Sequence, residues 1–446
     1  MSLPRYSEYK DSGVEWLSEV PVHWPVHSLR HHLKAIFNGI TSDQIDEGEG
    51  TVPVTRIETI SKGVIDTEKL GYISQDDARS DKLLKQGDIL FSNINSLNMI
   101  GNCAQYCDGT AIYAGMNLLV LRPVEHIDYS WLFWLIKSSL FRREVESRAK
   151  PAINQASIPQ GSILSIQITT PNLSEQTAIA TFLDRETGKI DGLIAEQEKL
   201  ITLLAEKRQA TISHAVTKGL NTDTPMKDSG VVWLGEVPEH WNVAPLSIIC
   251  SLIQTGPFGS QLHAEDYIED GTPVVNPSNL VDGQIVPDWK CSVAAEMVNS
   301  LPQHVLRIGD IVFGRRGEMG RCALVKPDNA GWLCGTGSLN LRLKTGNPKF
   351  VVTYLGTPIV RELLKLESVG STMDNLNAGI LSRIRVPQPP DVEQAAIATF
   401  LETEISRLNA LTAEATHGIA LLKERRSALI SAAVTGKIDV REANNQ

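Results

Sequence analysis

The chain has 446 residues, 42% of them hydrophobic and 21% charged, an ordinary globular balance with room for two or more domains, each with its own core. A net charge of -10 excludes a protein that coats nucleic acid unselectively, while leaving room for a local basic face. No apolar run approaches the roughly 18 residues that a membrane span requires, and the opening MSLPRYSEYKDSG lacks the apolar stretch of a secretory leader, so a cytoplasmic location is expected.

In chain order, the first segment to stand out is DSGVEWLSEVPVHW at residues 11–24. It returns as DSGVVWLGEVPEHW at residues 228–241, and a pattern with two Trp, a Val-Pro step and a His is too particular to recur by composition. Residues 25–171 then read as short β-branched runs such as TVPVTRI, GNCAQY and NLLVLRP, broken by Gly, Asn, Asp and Pro. Within them KQGDILFS at residues 85–92 predicts a buried strand. A later patch, YSWLFWLIKSSLFRREV, predicts short helices whose Trp131 and Trp134 belong to the core. Cys103 and Cys107 are the one close pair among six cysteines and have no companion pair at zinc spacing, so reduced thiols are expected and metal ligands are not.

From Pro171 onward the pattern becomes helical. Ser174 precedes Glu175 and Gln176 as an N-terminal signal, and no proline interrupts the stretch until past Val216, which predicts a helix of roughly 40 residues, about 60 Å long. The second half repeats everything. PPDVEQAAIATFL aligns with PNLSEQTAIATFL without a gap, so that Glu175, Gln176, Ile179, Phe182 and Leu183 match Glu393, Gln394, Ile397, Phe400 and Leu401, 218 positions on. RIGDIVFG at residues 307–314 repeats the buried strand, and KFVVTYLGTPIVRELLKL the helical patch with Tyr354 in its core. Leu183, Ile190, Gln197, Leu204 and Thr211 form a heptad seam, broadened by Ile179, Leu193 and Leu200. Leu401, Leu408, Ala415, Leu422 and Leu429 form its counterpart, so the two helices are expected to pack on each other, antiparallel, in a pseudo-two-fold tandem repeat. The predicted organisation is a repeat segment at 1–24, an α+β domain at 25–171, a helix at 172–220, a second repeat segment at 221–241, a second α+β domain at 242–389 and a second helix at 390–440.

Constellations for catalysis are missing. ETGK at residue 186 and VTGK at residue 434 lack the upstream glycine of a phosphate loop, NPSN at residue 276 falls short of a methyltransferase motif, and PDWK at residue 287 has no second acid and lysine for a metal nuclease. The loops offer readers of polar edges instead. Asn bonds adenine at N6 and N7, and Arg bonds guanine at O6 and N7. The first domain carries Asn38, Thr41 and Ser42 in NGITSDQ, Arg56 in RIETISKG, and Ser92, Asn93, Asn95 and Asn98 in SNINSLNMIG. The second carries Phe258, Ser260 and Gln261 in QTGPFGSQLH, Asn276, Ser278 and Asn279 in NPSNLVDG, and Arg315 and Arg316 in GRRGEMG. A duplicated framework whose tips diverge is what two different recognition modules require.

With its WLGEVPEHW signature, its Gly-Asp-Ile strand and its Glu-Gln-x-Ala-Ile-Ala-Thr-Phe-Leu helix, each given twice, the chain resembles the specificity subunits of type I restriction-modification systems over nearly its whole length. That resemblance implies two target recognition domains, each reading half of a split double-stranded DNA site, joined by two antiparallel helices that act as a ruler and bind two methyltransferase (modification) subunits. It implies no catalytic residue and no cofactor in this chain. S-adenosylmethionine would sit in the modification subunits, and ATP and Mg in the restriction/translocase subunits. The signature would pack each recognition domain onto a helix end. A second reading, a noncatalytic tandem scaffold that binds protein partners without reading DNA sequence, fits the missing motifs equally.

Overall fold

The computed structural model describes residues 4–97, 99–107, 109–153, 155–258, 261–317, 320–368 and 376–441. It forms two compact units, one of Met1–Glu198 with Thr416–Gln446 and the other of the continuous stretch Lys199–Ala415. The expected α+β class holds in both.

In the first unit, a four-stranded antiparallel sheet has the order Leu33–Asn38, Leu119–Pro123, Ile89–Phe91, Cys103–Gln105. Side chains alternate across a strand, so the central strands serve two cores. Ile89, Phe91, Leu119 and Leu121 join the cluster that holds Trp131, Trp134 and Phe141 of the helices Tyr129–Lys137 and Ser139–Arg148. Leu90, Ala104 and Val120 face the other way, onto Ile60, Leu84 and Tyr106. The first helix is capped by Asp128, whose carboxylate accepts from the amides of Ser130 and Trp131, and the second by the hydroxyl of Ser138; such caps contribute about 1 kcal/mol each. Val26–Ser28 and Gln167–Thr169, where the chain enters and leaves the domain, pair with each other.

The second unit repeats the plan. Its sheet runs Cys250–Thr255, Ser338–Leu343, Ile311–Gly314, Cys322–Leu324, and its closing pair is Asn242–Pro245 with Arg385–Gln388. Ile311 and Phe313 pack on Phe350 and Tyr354, while Val312 and Ala323 face a separate cluster around Leu280 and Val325.

The long helices span Leu173–Lys218 and Asp391–Val434, 46 and 44 residues, or about 69 and 66 Å. Asn172, two residues earlier than the Ser174 expected from the sequence, caps the first by accepting from the amide of Glu175 at 2.9 Å. In the first unit, Ile179, Phe182 and Leu183 near the start of one helix share a core with Ile430, Ala433 and Val434 at the end of the other, so these segments run antiparallel. In the second unit, Ala215 and Val216 likewise meet Ile397 and Leu401. The seam residues Leu183, Ile190, Leu204, Leu401, Leu408 and Ala415 are buried as expected, but Leu193 and Leu200 are exposed. The second line of the stripe is Ile194 and Ile201, half-buried four positions after a seam residue. Leu193 and Leu200, one position earlier, lie about 100° round the helix from it.

The twice-written signature is a clamp. Trp24 is fully buried and donates its indole N–H to Glu175 Oε2 at 3.2 Å, while His23 Nε2 lies 3.0 Å from Glu175 Oε1. Trp241 and His240 hold Glu393 Oε2 at 3.1 and 2.8 Å in the same way. The neighbouring glutamine completes each joint: Gln176 accepts from the amide of Asp128 at 2.9 Å and donates to the carbonyl of Pro171 at 2.8 Å, and Gln394 does so with Asn347 and Pro389 at 2.7 and 2.8 Å. The indoles also abut the glycines just past the opposite helix ends: a Cβ on Gly436 would stand 2.9 Å from Trp24, and one on Gly219 3.2 Å from Trp241. Both glycines have positive φ, so a side chain there is excluded by conformation as well as by space.

Candidate nucleic-acid interface

Beneath the candidate loops lies one frame, used twice. The Asp of each Gly-Asp-Ile strand is buried and accepts two parallel bonds from an arginine on the adjacent strand. Arg122 Nε and Nη2 donate to Asp88 Oδ1 and Oδ2 at 2.8 and 2.6 Å, and Arg342 Nε and Nη2 to Asp310 Oδ1 and Oδ2 at the same distances. Each carboxylate also accepts the amide three residues before it, from Lys85 at 2.8 Å and Arg307 at 2.9 Å. The turn before the strand is thereby tied to the sheet. Charge-assisted, two-pronged bonds of this kind fix geometry as well as adding energy.

Where the outer strand ends, the backbone crosses a second segment so closely that only glycine fits. A Cβ on Gly39 would stand 2.0 Å from the carbonyl oxygen of Gly115, and one on Gly256 1.9 Å from that of Gly335. These crossings aim the loops that start at Asn38 and at residue 257. In the first unit, Gln44 and the aliphatic stem of Arg56 converge on Gly71, and Ser42 donates to Asp77. Asn38, Thr41 and Arg56 are exposed on that part of the unit, and Arg56 lies 3.6 Å from Glu58, an exposed pair that leaves the guanidinium available to another acceptor. In the second unit Phe258, Gln261, Ser278 and Arg316 are exposed.

Other candidates turn inward. Ser92 and Asn93 are buried, and Asn95, half-buried, spends its side chain on the Ser92 hydroxyl and the Ser96 amide. Asn279 is buried and serves its own turn, accepting from the amide of Asn276 at 2.8 Å and donating to the carbonyl of Val286 at 2.9 Å. Asn276 reciprocates as the cap of that turn and bonds Tyr267. Arg315 donates to the carbonyls of Leu376 and Thr336, and burial pushes its pKa down. In Asn95, Asn276, Asn279 and Arg315, amide side chains and a guanidinium satisfy backbone groups that no strand partner reaches. Asn98 and Ser260 lie outside the described residues.

Two residues at these edges were not singled out from the sequence. Lys82 donates to the carbonyl of Asn38 at 2.8 Å and rests over the Phe37 ring at 4.7 Å. Trp289, half exposed, meets Trp332 edge-on with ring centroids 6.3 Å apart. The signal for Trp289 was an apolar ring set among turn formers in PDWK, and for Lys82 there was none, since its partner is 44 residues away.

The family model for the type I restriction modification DNA specificity domain matches residues 33–202 and again residues 238–419. The chain is 31% identical over 398 residues to a putative type I restriction enzyme MjaX specificity subunit of Methanocaldococcus jannaschii, covering 86% of this chain and 88% of that protein. It is 23% identical over 435 residues to the MjaVIII specificity subunit of the same organism, covering 95% of each. Among solved structures, the HsdS subunit from Thermoanaerobacter tengcongensis shares the fold with a TM-score of 0.57 at 17% identity, covering 94% of this chain and 98% of that one. A chain from a type I R-M system complex does so with a TM-score of 0.67 at 19% identity, covering 93% and 98%. Two matched specificity domains on one duplicated frame make this chain a member of the type I restriction-modification DNA specificity family.

Proposed function

We propose that the chain reads a two-part double-stranded DNA target, one part per unit, and directs methyltransferase and restriction/translocase subunits to it in the cytoplasm without performing chemistry itself. The observation that carries this reading is the repetition of one braced sheet, with its Asp–Arg pair and crossing glycines, under loops that differ in every exposed candidate: Asn38, Thr41 and Arg56 in one unit, Phe258, Gln261, Ser278 and Arg316 in the other. A conserved support with altered tips changes what is read without changing how the reader is held. S-adenosylmethionine, ATP and Mg belong to the partner subunits in this reading.

The test is the methylome of a host with and without the chain, and with residues 25–171 exchanged for another recognition domain. The expected result is a chain-dependent split motif of which the exchange alters one half only. Loss of the motif's dependence on the chain, or alteration of both halves, would overturn the reading.

A further inference from the structure

The two units follow one plan, so a place that one fills and the other leaves open can be matched residue by residue. The helix caps Asp128 and Asn347 each give their amide to the glutamine of the long helix, and the next caps, Ser138 and Thr357, each donate a hydroxyl to the carbonyl three residues back, at 2.7 Å. Between these fixed points no gap is possible. Phe133, Trp134 and Lys137 therefore correspond to Val352, Thr353 and Gly356.

In the first unit, Trp134 is buried, donates its indole N–H to Asp184 at 2.8 Å and lies under Arg426, whose guanidinium carbon is 5.9 Å from the ring centre and which pairs with Asp191 at 2.9 Å. Lys137 rests over both Phe133 and Trp134. In the second unit, the positions of Arg426, Asp184 and Asp191 hold Arg208, Glu402 and Asn409, so the arginine and the acceptor persist while the ring and the arginine's carboxylate are gone. What remains is a cavity of about 1070 Å³ lined by Arg208, Val352, Thr353, Gly356 and Glu402. Its charge has shifted as well. In the first unit Arg142 donates to Asn102 at 3.0 Å and to Glu146 at 3.1 Å; the corresponding positions are Arg361, Arg321 and Lys365, and both arginines line the cavity.

We infer that this cavity of the second unit binds a ligand combining an aromatic ring with an anionic group, the ring taking under Arg208 the place that Trp134 takes under Arg426 and the anion facing Arg321 and Arg361. An arginine over an aromatic face is favourable, guanidinium pairs favour carboxylate and phosphate, and a cavity of this size holds a nucleotide or a short acidic peptide segment with one aromatic residue. One wall of the cavity, Leu280–Gly283, continues from the candidate loop that carries Ser278, but the test of the site uses no DNA and so stands apart from that of the DNA-reading role.

Isothermal titration of the full chain with adenosine 5′-monophosphate and with the peptide acetyl-Glu-Trp-Glu-amide distinguishes the two sources. Inorganic phosphate, which has no ring, and cyclohexanecarboxylate, whose ring is saturated, serve as probes lacking the aromatic face. At least one aromatic anion is expected to bind at least tenfold more tightly than either control. Thr353→Trp, which restores the first unit's side chain, should abolish binding, and Arg208→Gln, which leaves the cavity's shape alone, should weaken it roughly tenfold. Circular dichroism and thermal melting establish that each variant is folded, and Arg208→Gln decides the matter if Thr353→Trp is not. Absence of binding by both aromatic anions, equal binding of the controls, or affinity unchanged in a folded variant overturns the inference.

Discussion

The Nε–H of Arg315 donates to the carbonyl of Leu376, 61 residues further along the chain, at 3.0 Å, while the next residue, Arg316, is exposed. Two adjacent arginines of one loop thus have opposite duties. Arg316→Ala should cost about 1–3 kcal/mol of binding to the cognate DNA by the assembled complex and relax one base position. Arg315→Ala removes a brace and should weaken binding to every sequence alike. Competition binding against a panel of single-base variants separates the two outcomes; a base-specific loss in Arg315→Ala would reverse the assignment.

The buried Asp310–Arg342 pair makes a second expectation. Asp310→Asn leaves the half-buried guanidinium of Arg342 without its carboxylate and should destabilise the second unit by about 3–5 kcal/mol. Asp88→Asn should do the same to the first. Urea unfolding monitored by tryptophan fluorescence reads both, and a loss under about 1 kcal/mol in either would show that the strand pairing carries the turn unaided.

Glu175 serves a histidine and a buried indole at once. Glu175→Ala strands the Trp24 N–H in the core and should cost about 1–3 kcal/mol, the penalty for an unsatisfied buried donor. Glu175→Gln keeps an acceptor for the indole and should cost less. Thermal melting of the pair of variants tests the ordering, and equal losses would place the energy in packing rather than in the bond.

His32 is buried beside His27, His31 and His126, and burial first, then those neighbours, push its pKa from 6.5 down to about 4. The unfolded chain therefore binds this proton more readily than the folded one. The stabilisation is fully present above pH 6.5 and is lost as pH falls through about 4, on the order of 3 kcal/mol in all. In His32→Asn the acid limb of the stability-against-pH curve should be shallower between pH 6 and 4. An unchanged slope would assign that limb to other groups.

Periodicity made the seam, the sheets and the duplication legible in the sequence, because the Leu183–Ile190–Leu204 spacing and the Gly-Asp-Ile strands carry their burial in their order. The loops were legible only in part. Nothing local distinguishes Asn38, which is exposed, from Asn93, which is buried, since the difference is set by the segment around residue 158, whose amide bonds the Asn93 carbonyl at 2.9 Å. The same limit hid the clamp: His23, Trp24 and Glu175 were each conspicuous, but 151 residues separate Trp24 from the carboxylate that explains it.

The first unit is sewn together from both ends of the chain. The amide of Asp439 donates to the carbonyl of Pro4 at 2.8 Å, and the Tyr9 hydroxyl to that of Gly436 at 2.9 Å, whereas the second unit is one unbroken stretch. On the ribosome this inverts the order of completion. The unit whose sequence emerges first must wait, with Trp24 and the face of Ile179 and Leu183 uncovered, until the last turns of the second long helix arrive, while the later unit has all its parts before synthesis ends. An early stop at residue 430, which removes Ile430, Ala433, Val434 and all that follows them, would thus leave the distal half intact and strip the proximal half of its closing wall.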